Sequence, residues 1–334
     1  MTAPSIFLSF TAAARANYYR EASQAALQAL GTLRLNESAE PLDTMALAEA
    51  ARGCQVIVSD RATPGDAALF QQCPELVVFM RCAVDVRNID IDAASSHGVL
   101  VTHASAGFAN AVAEWTLGMM LNLSRHLCDG ALAYHAGSVP EPRMGGELRG
   151  ATLGILGYGQ IGRRLGAIGA ALGMRVMVSD PHAPSGDPAV EHAPLDAVLA
   201  EADHVVCLIP ATPATANLMN AARFAQMKRG AFFINAARGE LVDESALLQA
   251  LDGGHLGGCA LDVGRAADQM PSRALAAHPR VLATPHTGGL TPGAVDHQAN
   301  ETVAQLSALL RGDLPIGALN ADRAHRFAAW HAKA

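Results

Sequence analysis

Short apolar runs recur along the chain, each followed by a stretch whose small and apolar residues fall at helical spacing. "SIFLSF", "QVIVS", "ELVVFM" and "GVLVT" have the length and β-branched content of strands, and Ala-rich helical segments separate them. A long helix is predicted over 107–127. A second series starts at "ATLGILG" and runs through "RVMVS", "HVVCLIP", "AFFINA" and "RVLATP", and the stretch "ALDVGRAADQMPS" leaves a further apolar strand just before Asp262. Strands that alternate with helices build a parallel sheet covered on both faces, so two series predict an α/β protein of two doubly wound parallel-sheet domains. The second series is complete by residue 286, so the last helix, 293–311, and the tail are expected to return to the first domain. The predicted division is 1–103 plus 290–334 for one domain and 104–289, with the linking helix, for the other. The tail "ALNADRAHRFAAWHAKA" reads as a frayed helix or a partner contact.

Composition narrows the class. A chain of 334 residues, half of them hydrophobic and 16% charged, can bury two cores and suits a compact enzyme more than a disordered or fibrous protein. A formal charge of −7 with scattered Lys and Arg leaves no basic face for phosphates, which argues against nucleic acid as a partner. "MTAPSIFLSF" lacks the basic start of a secretory signal. The longest apolar helix candidate carries Glu114 and several polar positions, so no membrane partner is expected. Six cysteines without a CxxC pair read as packed thiols of a cytoplasmic protein. The histidines show no metal-ligand spacing, and no metal is expected.

The chemistry is most legible at "LGILGYGQIGRR", where Gly157, Gly159 and Gly162 have GxGxxG spacing between an apolar strand and a helix. The first glycine permits a tight turn, the second lets backbone approach a pyrophosphate, and the third lets helix and strand pack closely. Unpaired N–H groups at the helix start then face the phosphates. Asp180 closes the next strand, 23 residues after Gly157, where a carboxylate accepts from ribose hydroxyls and repels a 2′-phosphate. NAD is therefore expected over NADP.

Beyond this motif the chain resembles the D-isomer-specific 2-hydroxyacid dehydrogenase family over nearly its whole length. The resemblance is carried by "NIDIDAASSHGVLVTHASAG", "GILGYGQIGRRL", "MKRGAFFINAARGELVDESALLQAL" and "RVLATPHTGG". It implies a flavodoxin-like substrate domain, a Rossmann cofactor domain, an active site in the cleft between them and a homodimer built through the cofactor domains. It also implies that Arg238 holds the carboxylate and carbonyl of a small anionic substrate, and that His286 is the acid/base. Asp262 is implied as the partner of the nicotinamide carboxamide, and Gln160 and Ile161 as backbone contacts to the pyrophosphate. By the same resemblance Pro210 and Thr215 are expected to line the nicotinamide side, and Ala236 and Gly288 to join the cofactor set. Apart from the resemblance, a guanidinium can grip a carboxylate and stabilise a developing oxyanion, and a histidine can supply the proton that reduction of a 2-oxo acid requires.

Two departures from the family pattern stand out. The Glu that normally supports the histidine falls five residues after Asp262 and nineteen before His286, and both counts end on Ala267. The nearest acid is Asp268, which reaches the histidine only through an irregular backbone, because neighbouring side chains of an extended segment point oppositely. In "FMRCAVDVRNID" the two glycines of the family's substrate loop are replaced by Ala83 and Asp85, flanking Val84. Asp85 is read either as a turn cap or as a specificity residue, with Arg81 or Arg87 to offset its charge. The leading reading is an NAD-dependent oxidoreductase acting on a 2-hydroxy/2-oxo acid. Its rivals are a dinucleotide-sensing regulatory protein and a relative using another hydride donor, such as phosphite or formate.

Overall fold

The computed structural model describes residues 3–183, 187–266 and 269–332. The chain divides into one compact unit of Met1–Gly107 with Pro292–Ala334 and another of Phe108–Thr291. The first unit holds strands β1 (Ser5–Leu8), β2 (Thr32–Leu35), β3 (Val56–Ser59), β4 (Val78–Arg81) and β5 (Leu100–His103) in the order β2-β1-β3-β4-β5. All its neighbouring strands pair in parallel. Alternation along β1 separates the two cores: Ile6 and Leu8 pack with Tyr19, Leu306 and Leu309 on one face. Phe7 packs with Leu47, Phe70 and Phe79 on the other. The helix Pro292–Arg311 supplies Ala299, Leu306 and Leu309 to the first of these faces.

The second unit carries a seven-stranded parallel sheet. Its strands are β6 (Thr152–Leu156), β7 (Arg175–Ser179), β8 (Glu191–His192), β9 (His204–Cys207), β10 (Phe232–Asn235), β11 (Gly258–Leu261) and β12 (Val281–Ala283). They run β12-β11-β10-β9-β6-β7-β8, so the order reverses between β6 and β9. Open α/β sheets bind ligands at the carboxyl ends of the strands flanking such a reversal. Leu153, Ile155, Val206 and Ile234 pack under the helices Ala109–Arg125 and Gln160–Ala171, and Val205, Phe233 and Leu261 fill the opposite face.

His204, at the amino end of β9, is 3% exposed and stacks on Phe232 with ring centroids 5.2 Å apart. Its Nε2 lies 3.3 Å from the Ser124 hydroxyl. Burial pulls this imidazole down to about 4, against the opposing pull of Asp203.

Four features differ from the sequence expectation. The linking helix spans Ala109–Arg125 and breaks at left-handed His126 (φ 54°), after which Leu127–His135 forms a separate helix. Strands β2 and β8 were not anticipated. Both lie at sheet edges, and the half-exposed "TLRL" shows no continuous apolar run. As far as Ala332 the tail is anchored rather than frayed. Asn320 accepts from the Val101 N–H at 2.8 Å and donates to the Ser95 hydroxyl and the Val99 carbonyl, both at 2.9 Å. Arg326 donates to the Cys73 and Leu76 carbonyls at 2.9 and 3.0 Å, fastening the helix His325–Ala332 to its own unit. Five of the six unpaired cysteines are buried.

Candidate functional site

At the β6 end of the larger sheet the chain turns through Gly157 at φ 96°, a left-handed conformation that favours glycine. A Cβ there would stand 2.9 Å from the carbonyl of Leu208, just past β9, so the turn fills the reversal of strand order. A Cβ on Gly162 would meet the Gly157 carbonyl oxygen at 2.4 Å, which holds the helix Gln160–Ala171 against the turn. Gly159 differs: nothing lies within 4 Å of where its Cβ would be, and no side chain caps the helix it precedes. The first-turn N–H groups of Gln160, Ile161 and Gly162, which have no intrahelical acceptor, begin beneath this open space. A cradle that side chains would fill, above unsatisfied donors, fits a pyrophosphate.

Asp180, immediately after β7, is fixed beside the turn. Its Oδ2 accepts from the Tyr158 N–H at 2.7 Å and its Oδ1 from the His182 N–H at 2.8 Å. A carboxylate has about four acceptor positions, so two remain for ribose hydroxyls. The Tyr158 hydroxyl donates to Asp187 at 2.8 Å; burial and then this partner push the phenol up to about 12. Beyond β9, the Thr215 hydroxyl donates to the Pro210 carbonyl at 2.9 Å and accepts from the Thr212 N–H at 2.8 Å, closing a compact turn.

At the other end, three consecutive strands deliver the remaining residues. Asn235, the last residue of β10, is buried; its amide donates to the Arg238 carbonyl at 2.9 Å and accepts from the Ala237 N–H at 3.1 Å. These bonds pin the turn containing Ala236 and set Arg238 at its exit, with Nη1 donating to the Ala237 carbonyl at 2.7 Å. Gly239 then presses on the β11 loop, where its Cβ would lie 2.2 Å from the Gly264 carbonyl carbon. Arg265 braces the loops after β9 and β10, donating to Asn217 Oδ1 at 2.6 Å and to the Glu240 and Val242 carbonyls at 3.0 and 3.2 Å.

Asp262, directly after β11, receives Thr284 Oγ1 at 2.6 Å and the Thr287 N–H at 2.8 Å on Oδ1. The Gly288 N–H reaches its Oδ2 at 2.8 Å. Backbone bonds complete the seam: the Asp262 N–H donates to the Asn235 carbonyl at 3.2 Å, and the His286 N–H to the Asp262 carbonyl at 3.0 Å. Arg238, Asp262 and His286 thus stand at the carboxyl ends of β10, β11 and β12. Ala267 and Asp268 lie outside the described residues, so Asp268 as a partner of His286 is not among the contacts described. Sequence reading missed Asn235 and Arg265 as braces and the Thr284–Gly288 clamp on Asp262. A polar residue closing an apolar strand just before a turn is the one local signal that would have pointed to Asn235.

In the smaller unit, the loop containing Ala83, Val84 and Asp85 closes on itself. Asp85 Oδ1 accepts from the Arg87 N–H at 3.0 Å, the bond of an Asx turn, and the Arg87 guanidinium lies along the same carboxylate with Nη2 at 2.8 Å from Oδ2. Arg81, 2% exposed, donates Nε to the Asp85 carbonyl at 2.8 Å. Burial lowers its guanidinium to about 10, against the pull of Asp60 and Asp85, and it stays charged at neutral pH. Asp85 thus caps the turn and has its charge offset by Arg87; the contacts described do not bear on its reading as a specificity residue.

Among the described residues no group of three or more His, Cys, Asp or Glu is placed to hold a metal, and no helix is long and apolar enough to cross a membrane. A doubly wound sheet with a glycine turn, an open helix start and a fixed acid at the reversal of its strands defines a dinucleotide-binding α/β protein. Residues 117–288 match the model of the D-isomer specific 2-hydroxyacid dehydrogenase NAD-binding domain, and the chain belongs to that family. It is 35% identical over 273 residues to D-3-phosphoglycerate dehydrogenase of Rattus norvegicus, covering 80% of this chain and 51% of that protein. It is 37% identical over 253 residues to the Bacillus subtilis (strain 168) protein of the same name, covering 74% of this chain and 48% of that one. The chain thus matches about half the length of these curated relatives. The crystal structure of TT0316 protein from Thermus thermophilus is similar with a TM-score of 0.84 and 30% identity, over 94% of this chain and 99% of that one. NAD is the cofactor of the matched domain.

Proposed function

We propose that the protein is an NAD-linked oxidoreductase that interconverts a small 2-hydroxy acid and its 2-oxo acid. One observation carries the reading: Arg238 and His286 leave β10 and β12, the two neighbours of β11, at the same sheet edge that bears the glycine turn. Bound NAD supplies the carbon that accepts or returns the hydride. Arg238, planar and permanently charged, grips the substrate carboxylate and stabilises charge developing on the carbonyl oxygen. His286 gives that oxygen a proton during reduction and takes it back during oxidation. Gln160, Ile161 and Gly162 hold the pyrophosphate through their N–H groups, and Asp180 holds the ribose and disfavours a 2′-phosphate.

We also propose a cytoplasmic homodimer. Its support is the helix Leu127–His135, which has no buried residue and presents Leu132 and Tyr134 at 64% and 63% exposure, a surface suited to a second copy of the chain. The unpaired thiols agree with a reducing compartment.

The test is NADH oxidation by the full chain against a panel of 2-oxo acids, with Arg238→Ala and His286→Ala alongside and the oligomeric mass read by sedimentation of the same preparation. Each substitution is expected to lower kcat/KM by roughly 10²–10³-fold with NADH affinity retained. Tight NADH binding without turnover of any panel member would replace the enzyme reading with that of a dinucleotide sensor.

A further inference from the structure

We propose that Asp262 is the positioning residue of His286, holding the imidazole through the turn that bears it, in addition to any contact it makes with the cofactor. The inference rests on the reading of His286 as the acid/base. Four bonds converge on this one residue from both sides of the histidine. Thr284 Oγ1 arrives from two residues before it at 2.6 Å, and the N–H groups of Thr287 and Gly288 arrive from the two residues after it, each at 2.8 Å. The His286 N–H itself donates to the Asp262 carbonyl at 3.0 Å.

The clamp has something to hold. His286 sits at φ 55°, in the left-handed region that residues with a Cβ rarely adopt, and such a conformation persists only when its surroundings over-determine it. Asp262 is 4% exposed, so its three side-chain bonds are made out of water. A carboxylate suits the task because it only accepts. An amide in its place would turn an NH2 toward one of the incoming N–H groups. The neighbouring glycine belongs to the same device: a Cβ on Gly288 would stand 2.8 Å from Asp262 Oδ2, so only glycine lets the carboxylate close on that N–H. Three of about four acceptor positions are spent on the turn, which leaves one for a cofactor group. The two roles are therefore separable. Thr284 enters the clamp by its hydroxyl, and removing that hydroxyl leaves the carboxylate in place.

The experiment compares Thr284→Val, Thr284→Ser, Asp262→Asn and His286→Gln, measuring kcat with a 2-oxo acid, the Kd for NADH, and the proton NMR signal of the His286 Cε1–H in the cofactor-free chain. The signal is assigned by its loss in His286→Gln. Thr284→Val is expected to lower kcat about tenfold and Asp262→Asn about a hundredfold, the scale of a misplaced catalytic group. Thr284→Val should leave the Kd for NADH within about twofold, well under the tenfold that 1.4 kcal/mol represents. In both variants the His286 signal should shift and broaden while other resolved imidazoles stay put, and Thr284→Ser should restore signal and kcat. Wild-type kcat and an unmoved His286 signal in Thr284→Val would overturn the proposal. So would weaker NADH binding at unchanged kcat, which would leave Asp262 serving the cofactor alone. If His286→Gln keeps full activity, or no 2-oxo acid is turned over, the acid/base reading fails separately and the NMR comparison still decides whether the clamp positions the ring.

Discussion

The two ends of the seven-stranded sheet do their work by different means. Around β6 and β7 the candidate cofactor turn is local, since Gly162 touches Gly157 and the helix start follows the strand at once; only Asp180, bonded to Tyr158 from 22 residues on, and Leu208, packed on Gly157, come from farther along the chain. Around β10, β11 and β12 no single turn makes a site. Asn235, Asp262 and His286 are linked in series across loops 22 or more residues apart, and Arg265 reaches Asn217, 48 residues away. A short-range site depends on a few backbone conformations. A long-range one depends on the sheet to bring its parts into register, so it is expected to fail whenever the sheet loosens.

The strongest probe of that difference is His204, since β9 lies between the two ends. Folding keeps its imidazole neutral down to about 4, whereas the exposed group protonates near 6.5. As pH falls below 6.5 the unfolded chain takes up the proton first, so stability drops between pH 6.5 and 4 and this contribution levels off below that. The loss is on the order of 3 kcal/mol, and His204→Phe, which keeps the stack on Phe232 without titrating, should remove it from urea midpoints measured across this range. NADH binding and the His286 signal should then be lost at the same pH in the wild-type chain. Loss of one well before the other would mean that the ends unfold independently, and the contrast would become one of stability.

Gly162→Ala comes next. With the Gly157 oxygen 2.4 Å from the new Cβ, helix and turn must part, and NADH binding should weaken at least about tenfold, or 1.4 kcal/mol. The His286 signal should not move. Calorimetric titration with NADH measures the first, and movement of the signal would show that the two ends are coupled. The smallest effect belongs to Arg265→Ala. Its guanidinium is exposed, so losing its bonds should cost about 1 kcal/mol in thermal unfolding, with a few-fold fall in kcat and unchanged NADH binding. A loss in NADH binding equal to that in kcat would place the brace in both ends rather than one.

The sequence made the two ends legible to different degrees. The glycine turn could be read from spacing because the left-handed bend at Gly157 and the contact of Gly162 with the Gly157 carbonyl both fall within the motif itself. Arg238 and His286 were named through motif resemblance, and their placement on two strands that sandwich β11 came from strand order. Asp262 was read as a cofactor contact, yet its side chain is bonded three times to the His286 turn, with partners 22 to 26 residues ahead that no local pattern marks. Edge strands β2 and β8 escaped notice because half-exposed β2 and fully exposed β8 do not show the unbroken apolar runs of buried strands. The tail escaped because its anchors, Asn320 and Arg326, bond to carbonyls and amides more than 200 residues earlier.

Taken by itself, the order of residues determined what depends on neighbours along the chain: the alternation of strand and helix, the cofactor turn, the acid beside it and the identity of the reactive side chains. Tertiary structure alone decided which strand ends lie side by side, which carboxylate holds the histidine's turn and where the last helix docks. The physical reason is range. Backbone conformation and periodic burial are imposed by residues a few positions apart, whereas a hydrogen bond between strand ends exists only after the sheet has formed.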